Sequence, residues 1–511
     1  MTTLPLMTSE LLYAVAMPKG RGLVQIETEP KPLIPTRPLE AGEQYRFHFD
    51  MTQCIGCKCC VVACNEQNGN PAALNWRRVG EVEGGHYPLT QRYHLSMGCN
   101  HCVEPSCLIG CPVEAYSKDA GTGVVLHSAD TCIGCQYCTW NCSYQVPQYN
   151  AERGVVGKCD MCHNRLSDGQ APACVGACPE GAIAIEIVNI ADWRRDYLSA
   201  NAPGLPSADD SISTTRVTLP ENLLPDTGRV DTQRIETEQP HWPLVFMLVL
   251  TQLSVGAFVV LWLLDMLHQG TGLTLTALAS LGLAGVSLGA STLHLGRPIY
   301  AFRALKGLRR SWLSREVLTL SLFAGAANLF AGMLFLDLPG RIAAGAFTAL
   351  AGAAGVTCSA RIYVVRARPA WFSSYTLTEF YASALFLGPF FVLLLQNDLP
   401  AWVRIATVVG AALQFGTQLL KFLWLTKSEV FELRGSALLL SGTLKNLFLL
   451  RLVILLVAGI LLPLMVPAGW PLALSFLFAL GGEWLGRYLF FVSVVPKNIA
   501  AAFTSGERFA A

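Results

Sequence analysis

Residues 54–64 read CIGCKCCVVAC, and four of these cysteines follow the spacing C-x2-C-x2-C-x3-C. The same spacing recurs at residues 132–142, and two quartets with a wider gap before the third cysteine lie at residues 99–111 and 159–178. In iron–sulfur proteins with this pattern, three thiolates from one tight loop bind one cluster and the fourth, at the start of a helix, binds a partner cluster. The spacing therefore predicts four 4Fe-4S clusters that work in pairs. The sixteen predicted metal ligands are Cys54, Cys57, Cys60, Cys64, Cys99, Cys102, Cys107, Cys111, Cys132, Cys135, Cys138, Cys142, Cys159, Cys162, Cys174 and Cys178.

Two other uses of these cysteines are disfavoured by the same spacing. Disulfides require an oxidising compartment, and zinc is satisfied by paired C-x2-C knuckles without a third cysteine three residues later. Two of the 18 cysteines remain outside the quartets, Cys59 in the first loop and Cys358 in an apolar stretch. We interpret both as packing residues.

Strand-like segments flank the quartets in an order that indicates one ferredoxin unit nested inside another. RFHFDM precedes the first quartet and GVVLH precedes the third, whereas CPVEAYS follows the second and CPEGAIAIEIV follows the fourth. Pairing the first quartet with the second is the alternative that remains open at this point. Nested pairing predicts four ligand sets: Cys54, Cys57, Cys60 and Cys178; Cys159, Cys162, Cys174 and Cys64; Cys99, Cys102, Cys107 and Cys142; and Cys132, Cys135, Cys138 and Cys111.

Composition divides the chain of 511 residues into two unlike halves. Overall, 52% of the residues are hydrophobic and 14% are charged, which is too apolar for an ordinary soluble protein. We predict an N-terminal extension without a secretory signal at residues 1–45, an iron–sulfur domain at 46–198, a linker or strap at 199–242 and a membrane anchor at 243–511. The net charge of +1 does not indicate nucleic-acid binding.

The second half contains apolar runs of about 20 residues, the length with which a helix crosses a bilayer. The predicted fold class is therefore an α+β iron–sulfur domain with two nested ferredoxin-like units, followed by an all-α eight-helix transmembrane bundle in contact with membrane lipid. The eight predicted spans are 243–267, 271–293, 314–336, 342–365, 377–396, 401–425, 447–466 and 471–494.

Basic residues are distributed unequally between the predicted loops. With eight spans, the iron–sulfur domain, the C-terminal tail and three of the loops share one side. Sixteen Lys and Arg residues lie in those loops and the tail, against only Arg341 and Arg404 on the other side. Because positively charged loops face the cytoplasm, we predict a multi-pass protein of the cytoplasmic (inner) membrane whose iron–sulfur domain faces the cytoplasm.

Histidine placement argues against a membrane haem. His268 and His294 lie at helix ends that are predicted to be on opposite sides, and no histidine follows residue 300. We therefore expect no b-type haem. Electrons from the clusters would instead pass to a small carrier in the bilayer, a quinone (ubiquinone or menaquinone) of the quinone pool.

The stretch between the second and third spans carries a dense group of polar residues at the membrane edge. It begins with His294-Leu-Gly-Arg297-Pro and ends with Ser-Trp-Leu-Ser-Arg-Glu316. A quinone carbonyl accepts a hydrogen bond and a quinol must release protons, so a histidine and a carboxylate suit both needs. Because ionisable groups at membrane depth are costly, we predict a quinone site at His294, Arg297 and Glu316. The alternative is that Arg297 is an interface anchor and that Glu316 forms an ion pair.

Five further ionisable residues lie within the predicted spans. Glu483 and Arg487 stand four residues apart and share a helix face, which indicates an ion pair, with a proton path or a quinone contact as the alternative. Lys421, Glu379 and Arg451 lie near helix ends, where their side chains can reach the interface. A transporter or scaffold with an attached redox sensor is disfavoured, because no pair of Gly/Pro-broken helices stands out.

The cysteine pattern of residues 46–195 resembles the four-cluster electron-transfer subunits of the dimethyl sulfoxide reductase superfamily. This resemblance favours nested pairing. It implies that the outer cluster pair faces a molybdopterin-containing catalytic subunit and that the third-quartet cluster lies nearest the membrane. Some relatives replace a third-quartet ligand by tryptophan, whereas here Cys135 and Cys138 are both present and Trp140 is only a neighbour.

The apolar half, with its HLGRP and SWLSRE segments, looks like the membrane anchor subunit of the same enzymes. In that family the corresponding histidine and glutamate belong to the quinol pocket, which implies that role for His294 and Glu316. Most relatives carry the two parts on separate chains, whereas here they are joined. The cytoplasmic orientation resembles membrane-bound sulfite dehydrogenase and implies electron flow from sulfite to quinone. The alternative is the reverse flow, from quinol to a sulfoxide or another oxyanion.

Overall fold

The computed structural model describes residues 32–230, 235–396 and 398–499, so most of the predicted N-terminal extension and the end of the C-terminal tail lie outside the described residues. The strands of the first half are β1 (Glu43–Asp50), β2 (Arg78–Gly84), β3 (Gln91–Met97), β4 (Tyr116–Lys118), β5 (Val125–His127), β6 (Gln148–Asn150), β7 (Val155–Gly157), β8 (Ile183–Asn189), β9 (Arg216–Thr218) and β10 (Gly228–Arg229). Its short α-helices are α1 (Cys59–Asn68), α2 (Ser106–Gly110), α3 (Tyr137–Asn141), α4 (His163–Ser167), α5 (Ala173–Gly176) and α6 (Ile190–Asp196).

Strand pairing confirms that one ferredoxin-like unit is nested inside another. Strand β1, which precedes the first quartet, pairs antiparallel with β8, which follows the fourth, and Phe47 lies opposite Ile185. Strand β4, after the second quartet, pairs antiparallel with β5, before the third, and Ser117 lies opposite Leu126. Phe47 and Ile185 belong to a core that also contains buried cysteines of the first, second and fourth quartets. The outer sheet therefore covers the cysteine loops.

The stretch that was predicted as a linker or strap lies along the iron–sulfur domain. Strand β9 extends the outer sheet parallel to β1, with Val217 opposite Phe49, and β10 pairs antiparallel with β2. Before β9, the carbonyl of Ile212 accepts a hydrogen bond of 2.9 Å from the backbone N–H of Val103. This stretch therefore adds strands to two sheets before the chain enters the membrane region.

Long helices make up the second half, and the described residues confirm the predicted helical bundle. They are α7 (Trp242–Met266), α8 (Leu273–Thr292), α9 (Trp312–Phe335), α10 (Arg341–Tyr363), α11 (Ser374–Leu395), α12 (Ala401–Lys427), the short α13 (Phe431–Ser441), α14 (Lys445–Ile454) with a π-helical stretch Leu455–Leu461 and α15 (Leu462–Met465), and α16 (Trp470–Val492). Among the described residues, seven helices are long and apolar enough to cross a membrane, namely α7 to α12 and Lys445–Met465. Helix α16 has 23 residues and carries two buried charged side chains. Each predicted span agrees with one of these eight segments to within three residues at either end.

Helices α7 and α11 form the centre of the bundle. The apolar stretch of α7 is 83% buried and that of α11 is 67% buried. The two backbones touch where Gly256 meets Gly388, since a Cβ added to Gly388 would lie 2.2 Å from the carbonyl carbon of Gly256. Small residues allow such close helix approach in membranes.

The ion pairs inside the bundle differ from those predicted. Arg451 does not reach the interface, because its side chain is fully buried against Glu483. Glu379 is also buried and pairs with Lys421 at 2.9 Å. Glu483 therefore pairs with Arg451 rather than with Arg487 on its own helix face. The reason is that neighbouring helices supply closer partners than the next turn of the same helix.

Candidate functional site

The structure brings the sixteen predicted cysteine ligands together in four groups. Burial raises the pKa of most of these thiols, and neighbouring thiols, both within a group and in the adjacent group, raise it further. The outer groups are Cys54, Cys57, Cys60 with Cys178, and Cys159, Cys162, Cys174 with Cys64. The inner groups are Cys99, Cys102, Cys107 with Cys142, and Cys132, Cys135, Cys138 with Cys111. This arrangement corresponds to nested pairing.

The four groups form a row. Cys60 of the first outer group neighbours Cys174 of the second, and Cys159 of that group neighbours Cys99 of the first inner group. The buried ring of Tyr116 then lies beside thiols of both inner groups. The group of the third quartet is therefore one end of the row.

Left-handed backbone conformations curl the cysteine loops. Gly56 and Lys58 in the first loop have φ of 71° and 61°, and Gly134 and Gln136 at the same positions of the third loop have φ of 69° and 59°. Glycine adopts this conformation without the steric penalty of a Cβ. The curled backbone also turns amides toward sulfur, and the N–H of Gly134 lies 3.4 Å from the Sγ of Cys132. Such loops can direct three thiolates to one cluster and hydrogen-bond its sulfur ligands.

Two buried cations accompany the thiols. The Arg77 guanidinium lies beside thiols of both outer groups, and the Lys158 ammonium lies beside Cys107 and Cys159. Among the described residues, the side-chain hydrogen bonds of Arg77 go to Ser96 and those of Lys158 go to the carbonyls of Val125 and Cys159, and none goes to a carboxylate. A buried cation requires compensating negative charge, which four thiolates on an iron–sulfur cluster provide. These residues therefore fit the predicted clusters.

All eighteen cysteines lie in the described residues and are free thiols. Within the described part of the chain, no three His, Cys, Asp or Glu side chains converge on the position of a single metal ion. A 4Fe-4S cube holds its four cysteine ligands at separate corners.

The loop between α8 and α9 docks onto the last cysteine group. It contains a short 3-10 helix, Pro298–Leu305. Before this helix, Gly296 packs so tightly that an added Cβ would lie 2.3 Å from the carbonyl oxygen of Gly154. After it, the N–H of Gly307 donates to the carbonyl of Pro112 at 2.8 Å. The loop therefore joins the end of the cysteine row to the membrane helices.

Arg297 makes its polar contacts with the iron–sulfur domain. Its guanidinium donates to the carbonyl of Ala129 at 2.9 Å, and its backbone N–H donates to the carbonyl of Ile133 at 3.0 Å. Both acceptors belong to the third cysteine loop or precede it directly. This placement favours a role for Arg297 in docking the two halves.

His294 lies against the same cysteine loop. Its Nε2 is 3.3 Å from the carbonyl oxygen of Cys135, and its ring stacks on Trp140 with centroids 6.2 Å apart. Because a carbonyl only accepts, Nε2 carries the proton and Nδ1 can accept a hydrogen bond. The ring of His241 contacts His294 at 5.3 Å. Burial lowers the pKa of His294 and lowers that of His241 to about 3, so both rings are neutral near pH 7.

Glu316 reaches the same aromatic group from the other side. It is buried in the second turn of α9, and its carboxyl group interacts with Ser359 of α10 and with Tyr137 of the iron–sulfur domain. Tyr137 contacts Trp140 edge to face at 6.4 Å. The structure therefore brings His294 and Glu316 to one aromatic group, in which Tyr137 and Trp140 come from α3, the helix that also carries Cys138.

A cavity adjoins this group at the boundary between the two halves. Its volume is about 280 Å³, and its lining includes Gln136 and Trp140 from the third cysteine segment and His241 and Arg368 from the membrane half. Typical ligand pockets begin near 300 Å³. The cavity thus offers space for a small ring beside His241 and Trp140.

Sequence reasoning missed several residues of this site. His241 precedes the first apolar run, so the pattern of spans does not single it out. A histidine at the membrane edge can nevertheless indicate proton chemistry. Tyr137 and Trp140 look like ordinary loop aromatics, yet they belong to the core of the membrane half. Arg77 and Lys158 carry no recognisable motif, because their role depends on burial beside thiols, although Lys158 directly precedes Cys159 in the sequence.

Comparisons with known proteins match the iron–sulfur half and the helical half of the chain to two different families. Residues 90–187 match the family described as 4Fe-4S dicluster domain, and residues 235–492 match the family described as DMSO reductase anchor subunit (DmsC). The B component of the anaerobic dimethyl sulfoxide reductase of Haemophilus influenzae is 38% identical over 177 residues, which is 33% of this chain and 85% of that relative. The corresponding component in Escherichia coli is 37% identical over 173 residues, covering 32% and 83%. The B component of the sulfite dehydrogenase of Allochromatium vinosum is 36% identical over 160 residues, covering 27% and 67%.

The fold and the cysteine groups define an iron–sulfur electron-transfer domain fused to a membrane anchor. The anchor family covers half of the chain, and 85% of the Haemophilus influenzae relative is matched. The chain therefore belongs to the dimethyl sulfoxide reductase family of iron–sulfur and anchor subunits, and it combines the two parts in one polypeptide.

Proposed function

We propose that this chain is the electron-transfer and quinone-reacting subunit of a membrane-bound molybdenum oxidoreductase. The observation that carries the proposal is the contact between Nε2 of His294 and the carbonyl of Cys135. It joins the end of the cysteine row to the ionisable residues at the membrane edge. The relatives are named as single components of larger enzymes, a dimethyl sulfoxide reductase and a sulfite dehydrogenase. Those names support a separate, molybdopterin-containing catalytic partner.

The sixteen cysteines would hold four 4Fe-4S clusters, in the sets that the nested arrangement groups together. When bound, such clusters accept and release single electrons. Arg77 and Lys158 stabilise negative charge on the groups beside them. Trp140 fills the space between the third cysteine loop and the membrane helices, where it excludes water from the junction.

His294 and Glu316 would handle the protons of the quinone. Reduction of a quinone to a quinol consumes two electrons and two protons, and quinol oxidation releases them. The Cys135 carbonyl orients the His294 ring, whose Nδ1 can accept a hydrogen bond from a quinol hydroxyl. The buried Glu316 carboxylate can exchange a proton at the other side of the aromatic group. The headgroup would then lie beside Trp140.

We favour sulfite as the electron donor on the catalytic partner, with quinone as the acceptor. The support is the excess of basic loops on the side of the iron–sulfur domain and the similarity to a sulfite dehydrogenase component. The second candidate is electron flow from quinol to a sulfoxide or another oxyanion. It is favoured by the similarity to a component of dimethyl sulfoxide reductase.

The quinone reaction is testable on the purified full chain. Dithionite-reduced protein should be re-oxidised within seconds by a soluble ubiquinone or menaquinone analogue, because the site lies beside the last cysteine group. Stopped-flow absorbance of the iron–sulfur bands measures this reaction. Ferricyanide serves as the control oxidant. If ferricyanide oxidises the protein and neither quinone does, the proposed quinone reaction is wrong.

The proposed orientation gives a separate prediction. Fusion of green fluorescent protein to the C-terminus should produce fluorescent cells, whereas fusion of alkaline phosphatase at the same point should be inactive, because the tail shares the cytoplasmic side with the iron–sulfur domain. An insertion of each reporter in the loop between α9 and α10, beside Arg341, should give the opposite pair of results. Periplasmic activity of the C-terminal fusion would overturn the orientation and, with it, the preference for sulfite.

A further inference from the structure

Charged side chains from four helices meet inside the bundle, in the half nearest the iron–sulfur domain. They are Glu379 on α11, Lys421 on α12, Arg451 on α14, and Glu483 and Arg487 on α16, and all but Lys421 are at most 2% exposed. Three cations thus face two carboxylates. Ionisable groups at membrane depth are costly and usually functional. These five charged side chains are more than a single structural ion pair requires.

Hydrogen bonds connect these side chains into one network. Lys421 Nζ lies 2.9 Å from Glu379 Oε1. Arg487 donates to the backbone carbonyl of Glu379 and to the hydroxyl of Ser383, both at 3.1 Å. Ser383 in turn donates to Glu483 Oε2 at 2.7 Å. The network therefore runs from Lys421 to Glu483, and at Glu379 it is joined through the backbone carbonyl of that residue.

The network also contains polar atoms that the protein leaves unmatched. Among the described residues, Arg451 Nε and Nη1, Arg487 Nε, Gln252 Nε2 and Gln414 Oε1 are buried and have no hydrogen-bond partner. Buried polar groups are almost always hydrogen-bonded, and bound water supplies the partner where the protein does not. Several unmatched donors and acceptors in one place indicate a hydrated network.

Tyr363 links this network to the candidate quinone site. It lies at the end of α10, where it interacts electrostatically with both Glu316 and Arg487. The ring of Phe380 packs against both Tyr363 and Arg487. Its centroid is 5.6 Å from that of the Tyr363 ring and 4.0 Å from the Arg487 guanidinium carbon. Through Phe380 the charged network therefore packs against Tyr363, whose phenol lies within electrostatic range of Glu316.

The other end of the network opens toward the side of the iron–sulfur domain. A cavity of about 30 Å³ between α11, α12 and α16 is lined by Glu379, Gln418 and Lys421 and by Ser493 at the end of α16. This volume is sufficient for a water molecule, which needs about 10–15 Å³ by the same measure. The Lys421 side chain is 12% exposed. Glu379 is thus the buried carboxylate closest to this entrance.

We propose that Glu379 and Lys421 form the entrance of a proton path that runs through Ser383, Arg487 and bound water to Tyr363 and Glu316. The path rests on the proposed quinone reaction and supplies its protons. Each quinone that takes two electrons from the iron–sulfur domain takes two protons through Glu379, and quinol oxidation sends them back by the same route. The Arg451–Glu483 pair holds the inner end of the network in place.

Glu379→Gln in the full chain tests the path. Glutamine keeps the size and the hydrogen bonds of Glu379 but cannot release a proton. Quinone turnover should fall about 10-fold or more, in the range of a lost acid–base group, and the solvent deuterium isotope effect should rise. Iron content and oxidation by ferricyanide should stay unchanged. Glu379→Asp, which restores a carboxylate, should recover most of the turnover and the wild-type isotope effect.

Asp265→Asn is the matched control. Asp265 is a buried carboxylate that pairs with Arg341 at 2.8 Å at the opposite end of the bundle, so its loss should leave quinone turnover unchanged. Wild-type turnover in Glu379→Gln would overturn the path, and so would an equal loss in Asp265→Asn. Should Glu379→Gln fail to assemble, Lys421→Gln at the entrance must show the same slowing and isotope effect, or the path is wrong. Failure of the wild-type chain to react with quinone would instead refute the proposed function.

Discussion

Changing Cys135 to alanine is expected to abolish re-oxidation of the reduced protein by quinone. Cys135 contributes a thiol to the group at the membrane end of the row, and its carbonyl contacts His294. Alanine removes the thiol but keeps that carbonyl, so the variant separates cluster binding from docking. Iron analysis should fall below the value of about sixteen atoms that four intact cubes require. Stopped-flow absorbance should show no fast quinone phase, while ferricyanide still oxidises the remaining clusters.

Cys59→Ala is the control for this prediction. Cys59 is exposed, lies between two ligand positions of the first loop beside Cys57 and Cys178, and is not one of the sixteen predicted ligands. Its loss should leave both the iron content and the quinone reaction unchanged. The proposed ligand sets would be contradicted if Cys59→Ala lost iron or if Cys135→Ala kept a complete complement.

Changing Glu316 to glutamine is expected to slow the quinone reaction by about 100-fold or more, the range in which positioned acid–base groups act. The side chain is buried at the junction, beside Tyr137, and glutamine preserves its volume while removing proton exchange. Cluster content should be unaffected because Glu316 is not one of the sixteen predicted ligands. The loss should appear in the maximal rate more than in the quinone concentration at half-maximal rate.

Cys358→Ser is the control for Glu316→Gln, because it changes a side chain close to Glu316. Cys358 lies on α10 close to Glu316, and serine preserves its approximate size without affecting the carboxylate. The variant should react with quinone at nearly the wild-type rate. An unaltered rate in Glu316→Gln would place the quinone site elsewhere, with the cavity beside His241 as the next location to probe.

The features that could be predicted from the sequence depend on residues that lie close together along the polypeptide. Cysteine spacing identifies a metal-binding loop because three ligands of one cluster lie within a few residues. The apolar runs predicted the helices closely because bilayer thickness sets the length of a spanning helix. The position of the third-quartet cluster nearest the membrane was also expected, though only through a family resemblance.

The partners in the buried ion pairs could not be predicted from helical periodicity. Glu483 and Arg487 share a helix face, yet Glu483 pairs with Arg451 from α14. Likewise, Glu379 meets Lys421 from α12 although both were expected to reach the interface separately. Helical periodicity describes which side a residue faces, and it carries no information about which helix packs there.

Local spacing and hydropathy alone thus determined a cysteine-rich α+β domain, a following bundle of membrane helices and the sixteen candidate ligands. Tertiary packing decided how the cysteines combine, since β1 pairs with β8 and β4 with β5 across long stretches of sequence. It also placed His241, Tyr137 and Trp140 beside His294, and it assembled the buried charges around Arg487. Spacing within a loop is set by covalent geometry, whereas these contacts join residues far apart in the sequence and depend on the free energy of the whole fold.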